Sequence, residues 1–456
     1  MKIKSFRVAG YKNLVKPVAL DGLDKQSLIV IHGLNNVGKS NLLEALQLPF
    51  LLIALTERRE APLDREVPLP GEILKRGHVP TEWLTLGKPT PIEIGIVLSL
   101  SDAERQQHRL AEPAREVDLA FRIEVGLEEP TWRITRCRFA DGVDASWRFP
   151  EMGAEEFSQF LEAHREELAN KVPSKRARDP MKELSEAARP LAHAVLGMVK
   201  ERFALLDLHR TSSGLRGRSI LTDQLALSLY DAKESTDPRE YLRWSAFVRV
   251  CGEFGDVLGG AEPVVTYDRH RNQATLHMQS PAGRLPAHLL GTGVQQLLAI
   301  IGRMLVSKAD VVAIEEPETS VSMGLHARVR DALQRMTETD DGLSQVFLTS
   351  HSPWFDGPED FIAVVATDDG PAVQWRKANE VAKFTQSEMT PPPAKTAPLS
   401  YVTGEGYVAL PLFVREHLAV EHGGGVVFNT APEGRITMLS TQTALAEFGE
   451  SDDDAE

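Results

Sequence analysis

The chain has 456 residues, of which 42% are hydrophobic and 25% charged, with 33 glycines and 28 prolines. This is ordinary globular composition, and the length suits about two to three domains. The formal net charge of -14 argues against a general nucleic-acid coat, because neutralising phosphates takes an excess of Lys and Arg. The two cysteines, Cys137 and Cys251, suggest neither a disulfide framework nor a zinc site and read as small core residues. The opening MKIKSFRVAGYKNL lacks the apolar core of a signal peptide. The longest apolar stretch, near Leu48–Leu55, falls short of a membrane span. A cytoplasmic protein is expected.

In chain order, KIKSFRV reads as a short strand. Ser27–His32 (SLIVIH) is a continuous apolar run, the signature of a buried parallel strand. A Gly-rich turn follows it, then a helix from about Lys39. Ile92, Ile94, Ile96, Leu98 and Leu100 alternate with the opposite face, as do Val117, Leu119, Phe121, Ile123 and Val125, so two half-buried antiparallel strands are expected. Residues 151–250 are charged and helically spaced, broken by Pro173 and Pro180, and too poor in heptads for a long coiled-coil arm. VVTYDRHRNQATLHM reads as a hairpin. Strands and helices then alternate to about residue 376, as in a parallel sheet. The Pro-rich Thr390–Pro398 marks a boundary, a small β-rich segment follows, and ESDDDAE closes the chain as a solubilising tail.

The turn after the first apolar run is Gly33-Leu-Asn35-Asn36-Val37-Gly38-Lys39-Ser40-Asn41, a complete Walker A pattern between strand and helix. Gly33 and Gly38 let backbone N–H groups face phosphate oxygens, and the helix N-terminus adds its positive end. Lys39 is suited to β- and γ-phosphate charge and Ser40 to Mg²⁺. Downstream, Val311–Glu316 is an apolar strand ending in two carboxylates: Glu315 suits hydrated Mg²⁺, and Glu316 suits a general base on the attacking water. Gln345–His351 is a further apolar strand, ending in a histidine placed to sense the γ-phosphate. Between these motifs, Gly291-Thr292-Gly293-Val294-Gln295 opens an apolar helix, again an anion-binding arrangement.

In this order the four motifs resemble ABC-type ATPases, and the 290–296 segment resembles their signature loop. That resemblance implies an α/β fold: a P-loop ATPase head with an antiparallel β subdomain, a helical insertion and a small C-terminal β-rich module. It also implies that Gly291, Thr292, Gly293 and Gln295 contact ATP held by Lys39 of a second copy, in a homodimer or higher homo-oligomer. EEPET, LGTGVQQLL, the opening IKSFRVAGYKNL and the Asn35 and Asn41 flanks are similar to the RecF-like and OLD-like branch. The same resemblance draws in Lys12 and, through Leu205–Arg210, Arg210, whose competing reading is a surface salt bridge. There is no convincing Q-loop glutamine, Ser322 stands at the expected acidic or His position, and Thr292 must supply any signature hydroxyl. These departures point to slow or partner-coupled turnover. No TOPRIM module follows, so no intrinsic nuclease is expected.

Residues 404–439 resemble an AbrB/MazE-like swapped-hairpin module. Arg415 and Arg435 are opposed there by Glu405, Glu416, Glu421 and Glu433, which favours dimerisation over DNA binding, with a plain hairpin appendix as the alternative. Lys171, Lys175, Arg176, Arg178 and Lys182 form a basic cluster that reads either as a solvated helix connection or as a phosphate-tracking surface. The expected layout is 1–150 for the N-terminal part of the head, 151–250 for the helical insertion and 251–385 for the rest of the head. A linker (386–398), the module (399–445) and the acidic tail (446–456) complete it. Resemblance to OLD-like, Septu-type and PARIS-type ATPases implies a phage-defence sensor or scaffold controlling a separate nuclease or toxin. A RecF-like DNA-repair ATPase and an ATP-liganded DNA-binding regulator are the alternatives. ATP and Mg²⁺ are the expected cofactors.

Overall fold

A computed structural model describes residues 1–34, 36–55, 66–70, 73, 83, 90–102, 104, 116–125, 130–139, 197, 199, 200, 202–206, 223–307, 309–319, 321–338, 343–352, 355, 357–368, 370–381, 384, 412–418, 426–430 and 436–440. Asn35, Arg210, the basic cluster at 171–182, the 386–398 linker and the acidic tail lie outside the described residues.

Two six-stranded sheets organise the head. The first is antiparallel: β1 (Lys2–Ala9), β2 (Val18–Asp21), β4 (Val67–Pro68), β5 (Ile92–Ser99), β6 (Glu116–Glu124) and β7 (Thr131–Phe139), in the order β2-β1-β5-β6-β7-β4. The alternating isoleucines of β5 register against β6 as Ile92↔Ile123, Ile94↔Phe121 and Ile96↔Leu119, which puts one apolar row on one face. The second sheet carries the nucleotide motifs. It comprises β3 (Leu28–His32), β8 (Phe203–Leu206), β12 (Val311–Glu315), β13 (Gln345–Ser350), β14 (Phe361–Val365) and β15 (Ala372–Arg376), ordered β15-β14-β3-β13-β12-β8. Five of these run parallel; β15 returns antiparallel to β14. The alternation expected to give a parallel sheet up to residue 376 therefore yields a mixed one, because a hairpin folds the last strand back along the edge.

The parallel strands are apolar on both faces because each face is covered. Ile29, Ile31, Val311, Ala313 and Phe347 point into a core shared with the antiparallel sheet and helix α1 (Lys39–Leu55). Their neighbours Leu28, Val30, Val312, Ile314, Val346 and Leu348 point into a second core. That core is built with α2 (Asp223–Glu234), α3 (Pro238–Gly252), α4 (Thr292–Val306) and α5 (Met323–Glu338). A three-stranded sheet, β11-β10-β9, joins it, formed by β9 (Glu262–Asp268), β10 (Gln273–Ser280) and β11 (Gly283–Pro286). Near the C-terminus, α6 (Leu412–His417) precedes a two-stranded antiparallel ribbon, β16 (Val426–Thr430) with β17 (Ile436–Ser440).

One buried amide ties the two large sheets together. Gln345, fully buried at the start of β13, accepts from Ile3 N (2.8 Å) and donates to Ile3 O (3.2 Å) and Leu23 O (2.8 Å). Replacing it by an apolar side chain strands those backbone groups, each a buried polar atom without its partner. Gln345→Leu should lower unfolding free energy by about 2–4 kcal/mol in urea titrations, while Gln345→Glu, which still accepts from Ile3 N, should lose less below neutral pH.

Candidate functional site

The site lies at the carboxyl ends of β3, β13 and β12, where open α/β sheets bind ligands. Strand order explains why distant motifs meet: β13 sits between the P-loop strand and the two-carboxylate strand, with Ser350↔His32 and Glu315↔Thr349 in register.

The turn from β3 to α1 is fixed by two glycines for different reasons. A Cβ on Gly33 would stand 2.6 Å from Val364 O of β14, so the backbone is pressed against its neighbour strand. Gly38 has φ 110°, and a Cβ there would stand 2.7 Å from Asn13 Nδ2. Asn36 holds φ 65°, a left-handed conformation that Asn tolerates. Asn13 clamps the turn from outside: its Nδ2 donates to Val37 O (3.3 Å) and its Oδ1 accepts from Asn41 Nδ2 (2.8 Å). Asn13 sits in a tight loop in which Lys12 has φ 51° and Gly10 N donates to Leu14 O. The Lys12 ammonium pairs with the buried Glu44 of α1 and lies 5.4 Å from the Tyr11 ring. Lys12 therefore braces this loop on the helix, and Asn13 is the residue that touches the P-loop.

Lys39 is 5% exposed and donates to Gly33 O and Leu34 O, both at 2.8 Å. Its Nζ is 4.0 Å from Glu316 Oε1. Burial pushes its pKa down, opposed by the Glu316 and Glu318 carboxylates. Ser40, the second residue of α1, is exposed beside it. Glu315 ends β12, and Glu316 follows in a left-handed conformation, φ 42°, with its N–H donating to Thr349 O (3.2 Å). His351 follows β13; its Nδ1 is 3.8 Å from Glu316 Oε1 and 3.5 Å from Glu318 Oε1. The Glu316 carboxylate first, and the Glu318 charge after it, raise the His351 pKa against burial.

The residues thus assembled suit a magnesium–nucleotide. The Lys39 ammonium lies across the turn's carbonyls, Ser40 follows it on α1, and Glu315 ends β12. Among the described residues there is no group of three or more His, Cys, Asp or Glu able to hold a metal. Mg²⁺ takes one or two protein ligands and completes its shell with phosphate oxygens and water, and Ser40 and Glu315 are of the types that would hold it.

The signature-like segment is built differently. Gly291 caps α4 with no side-chain cap, and Gly291 and Thr292 are exposed. Gly293 lies in the first turn of α4. Gln295 turns its amide back onto its own loop, donating to Leu290 O (2.7 Å) and His288 O (3.1 Å). Leu289 (62% exposed) and Leu285 flank the segment. Ser322, after β12, is exposed.

With this geometry, a family model described as "AAA domain, putative AbiEii toxin, Type IV TA system" matches residues 28–355, more than half of the chain. The chain belongs to that family. The match runs from β3 past His351, so it spans the P-loop, the signature-like segment, the two-carboxylate strand and the histidine, though not the Lys12–Asn13 loop. Solved SMC heads are similar in outline. One, bound to the C-winged helix domain of ScpA, has a TM-score of 0.49 and 14% identity over 83% of this chain and 98% of that one. A head with an extended coiled coil, bound to the C-terminal domain of ScpA derived from Pyrococcus furiosus, has a TM-score of 0.47 and 12% identity over 85% and 99%. The SMC head domain from Thermotoga maritima has a TM-score of 0.40 and 12% identity over 82% and 98%. No curated protein matches significantly.

Sequence reading passed over Asn13, Glu318 and His32. Asn13 and Glu318 stand inside quoted motifs, GYKNL and EEPET, but nothing in the spacing says that they face the P-loop and the histidine. His32 is the last residue of β3, fully buried, and packs edge-on against Phe361 at 5.2 Å. Burial pushes its pKa down to about 3. A neutral native His32 refuses the proton that the unfolded chain takes up near 6.5. The unfolded state therefore binds more protons between those values, and stability falls by about 1.4 kcal/mol per pH unit as pH drops through that window. Above it the group has no effect. His32→Leu should flatten this acid limb by about one proton, measured by urea unfolding at pH steps from about 7 to about 4.5.

Proposed function

We propose that the chain is an ABC-type ATPase that works as a nucleotide-driven switch between two copies of itself. The observation that carries this reading is that Glu316 Oε1 lies within 4.0 Å of both Lys39 Nζ, at the start of the helix after β3, and His351 Nδ1, after β13. An ammonium, a carboxylate and an imidazole at one strand-end crevice are what phosphoryl transfer to water needs, where catalysis is mostly positioning and electrostatics.

In this reading the turn at Gly33–Lys39 cradles the phosphates, and Lys39 leaves its carbonyl partners for β- and γ-phosphate oxygens. Ser40 and Glu315 hold Mg²⁺, which when bound neutralises developing charge. Glu316 orients and deprotonates the attacking water, and His351 steadies the γ-phosphate side. Gly291, Thr292 and Gly293 of a second copy close over the γ-phosphate. The exposure of this segment and the apolar Leu285 and Leu289 beside it support such a face. ATP drives the change only by binding the closed pair better than the open one.

The expected boundary of the insertion at 151–250 is too wide, because β8, α2 and α3 belong to the parallel sheet and its second core. The reading assigns them to the head with 1–150 and 251–385, leaves the rest of 151–250 as an insertion, and assigns 399–445 to a homodimerising AbrB-like module. The helix and ribbon at 412–440 support this module. The family's description names a putative toxin of a toxin–antitoxin system, which supports a role in a system of that kind. In this reading the chain is a cytoplasmic phage-defence sensor or scaffold with a separate nuclease or toxin as effector. DNA repair and an ATP-liganded regulator are the alternatives. Among the described residues no helix is long and apolar enough to cross a membrane.

Glu316→Gln should retain ATP binding, lower turnover by about 10²–10⁴-fold, and accumulate an ATP-dependent dimer in sedimentation velocity. Equal turnover in wild type and variant would refute the hydrolytic reading. Mixing Lys39→Met with Thr292→Arg, each inactive alone, should restore activity through heterodimers holding one intact composite site. No recovery would refute the head-to-tail pairing. Stimulation of wild-type turnover by duplex DNA at low salt would return the repair reading.

A further inference from the structure

Glu318 lies two residues beyond Glu316 and has no place in the chemistry above, yet it is a buried, firmly anchored carboxylate. Its side chain is 4% exposed. One oxygen, Oε1, accepts from Ser350 Oγ (2.7 Å) and from His351 N (3.0 Å), and lies 3.5 Å from His351 Nδ1. The support continues behind it. Ser350 Oγ also accepts from Ser352 N (2.9 Å), and Ser352 Oγ meets His326 Nδ1 (3.0 Å). His326 Nε2 lies 3.0 Å from Val321 O. A carbonyl can only accept, so Nε2 carries the proton there and Nδ1 of neutral His326 receives the Ser352 hydroxyl. These contacts tie the segment after β12, the segment after β13 and the first turns of α5 into one polar assembly.

Burying a carboxylate is expensive unless it is paired and hydrogen-bonded. Glu318 is held by two donors on one oxygen, while Oε2 is buried without a partner. A purely structural tie between two loops would be served by a neutral side chain. The negative charge next to an imidazole points to a directional role. His351 Nδ1 lies 3.5 Å from Glu318 Oε1 and 3.8 Å from Glu316 Oε1 and makes no hydrogen bond here. Two carboxylate oxygens on that side favour the proton on Nδ1, which leaves Nε2 on the far edge of the ring for the phosphate side. Glu316 is 31% exposed, as suits a group that must meet water. Glu318 is the fixed member of the pair.

We infer that Glu318 is the positioning residue of His351: it fixes the tautomer and orientation of the imidazole so that Nε2 meets the γ-phosphate or the attacking water. This rests on the ATPase reading for its consequence, but not for its physical content.

Two measurements on the full chain separate the two. The first needs no turnover: nitrogen-15 spectra of the histidine imidazoles, with the His351 signal assigned by its loss in His351→Gln. Wild type should show neutral His351 as the Nδ1–H tautomer. Glu318→Gln, which keeps size and shape, and Glu318→Ala should both reduce that share. The second is steady-state turnover. Glu318→Gln should lower kcat by about tenfold or more with KM within about twofold, and should add nothing in a His351→Gln background, because both substitutions remove the same unit. An unchanged tautomer in both Glu318 variants, or losses that multiply with those of His351→Gln, would overturn the assignment. A tautomer shift in a chain that hydrolyses no ATP would sustain it while removing the ATPase reading.

Discussion

The site is governed by one electrostatic constraint: a buried ammonium must sit where a polyanion will arrive. Lys39 is withdrawn from water, and its charge is supported by two backbone carbonyls and, at longer range, by Glu316 and Glu318. Carbonyl contacts are weak competitors for phosphate oxygens, so the lysine is held in place without being committed. The carboxylates balance its charge from the far side and leave the turn itself free of negative side chains. Both large sheets serve this arrangement. The parallel one brings three chain segments to a common edge, and the antiparallel one backs α1 and delivers Asn13 to the turn.

Much of the head was legible from residue patterns because burial on two faces leaves a distinctive record. The unbroken apolar runs of β3, β12 and β13 read correctly as covered parallel strands, and the alternating Ile92–Leu100 read correctly as a strand with unlike faces. Each of the three runs ends in the chemistry-bearing group, so motif and strand could be placed together. The strand order was not legible. Nothing in Val311–Glu315 or Gln345–Ser350 states that the second inserts between the first and β3, since lateral order is decided by which helices can cover which face. The antiparallel return of β15 was missed for the same reason: its half-exposed AVQWR fits either direction.

Within the site, residue type predicted location better than it predicted partners. Lys39 and His351 both lie within 4.0 Å of Glu316, while Ser40 follows Lys39 on α1 and Glu315 ends β12. Lys12 and Asn13 are adjacent in one motif, yet only contacts reveal that Lys12 is taken by Glu44 while Asn13 reaches the P-loop. Gln295 sits in the loop that suggested an outward-facing amide, but its nearest acceptors are carbonyls of its own turn. Glu318 was invisible as a functional group because its work is done on another side chain, and such work has no spacing signature. Arg210 and Asn35 fall outside the described residues.

Glu316 occupies a backbone conformation that side-chain-bearing residues seldom adopt. Its strain, of order 1–3 kcal/mol, is borne by the very residue assigned to the reaction. Glycine or asparagine would relax that backbone but bring no carboxylate. Selection for heat tolerance alone would therefore drift toward silent, sturdier proteins at this position, and ancestry or library data scored only by expression would rank the working residue as the inferior one.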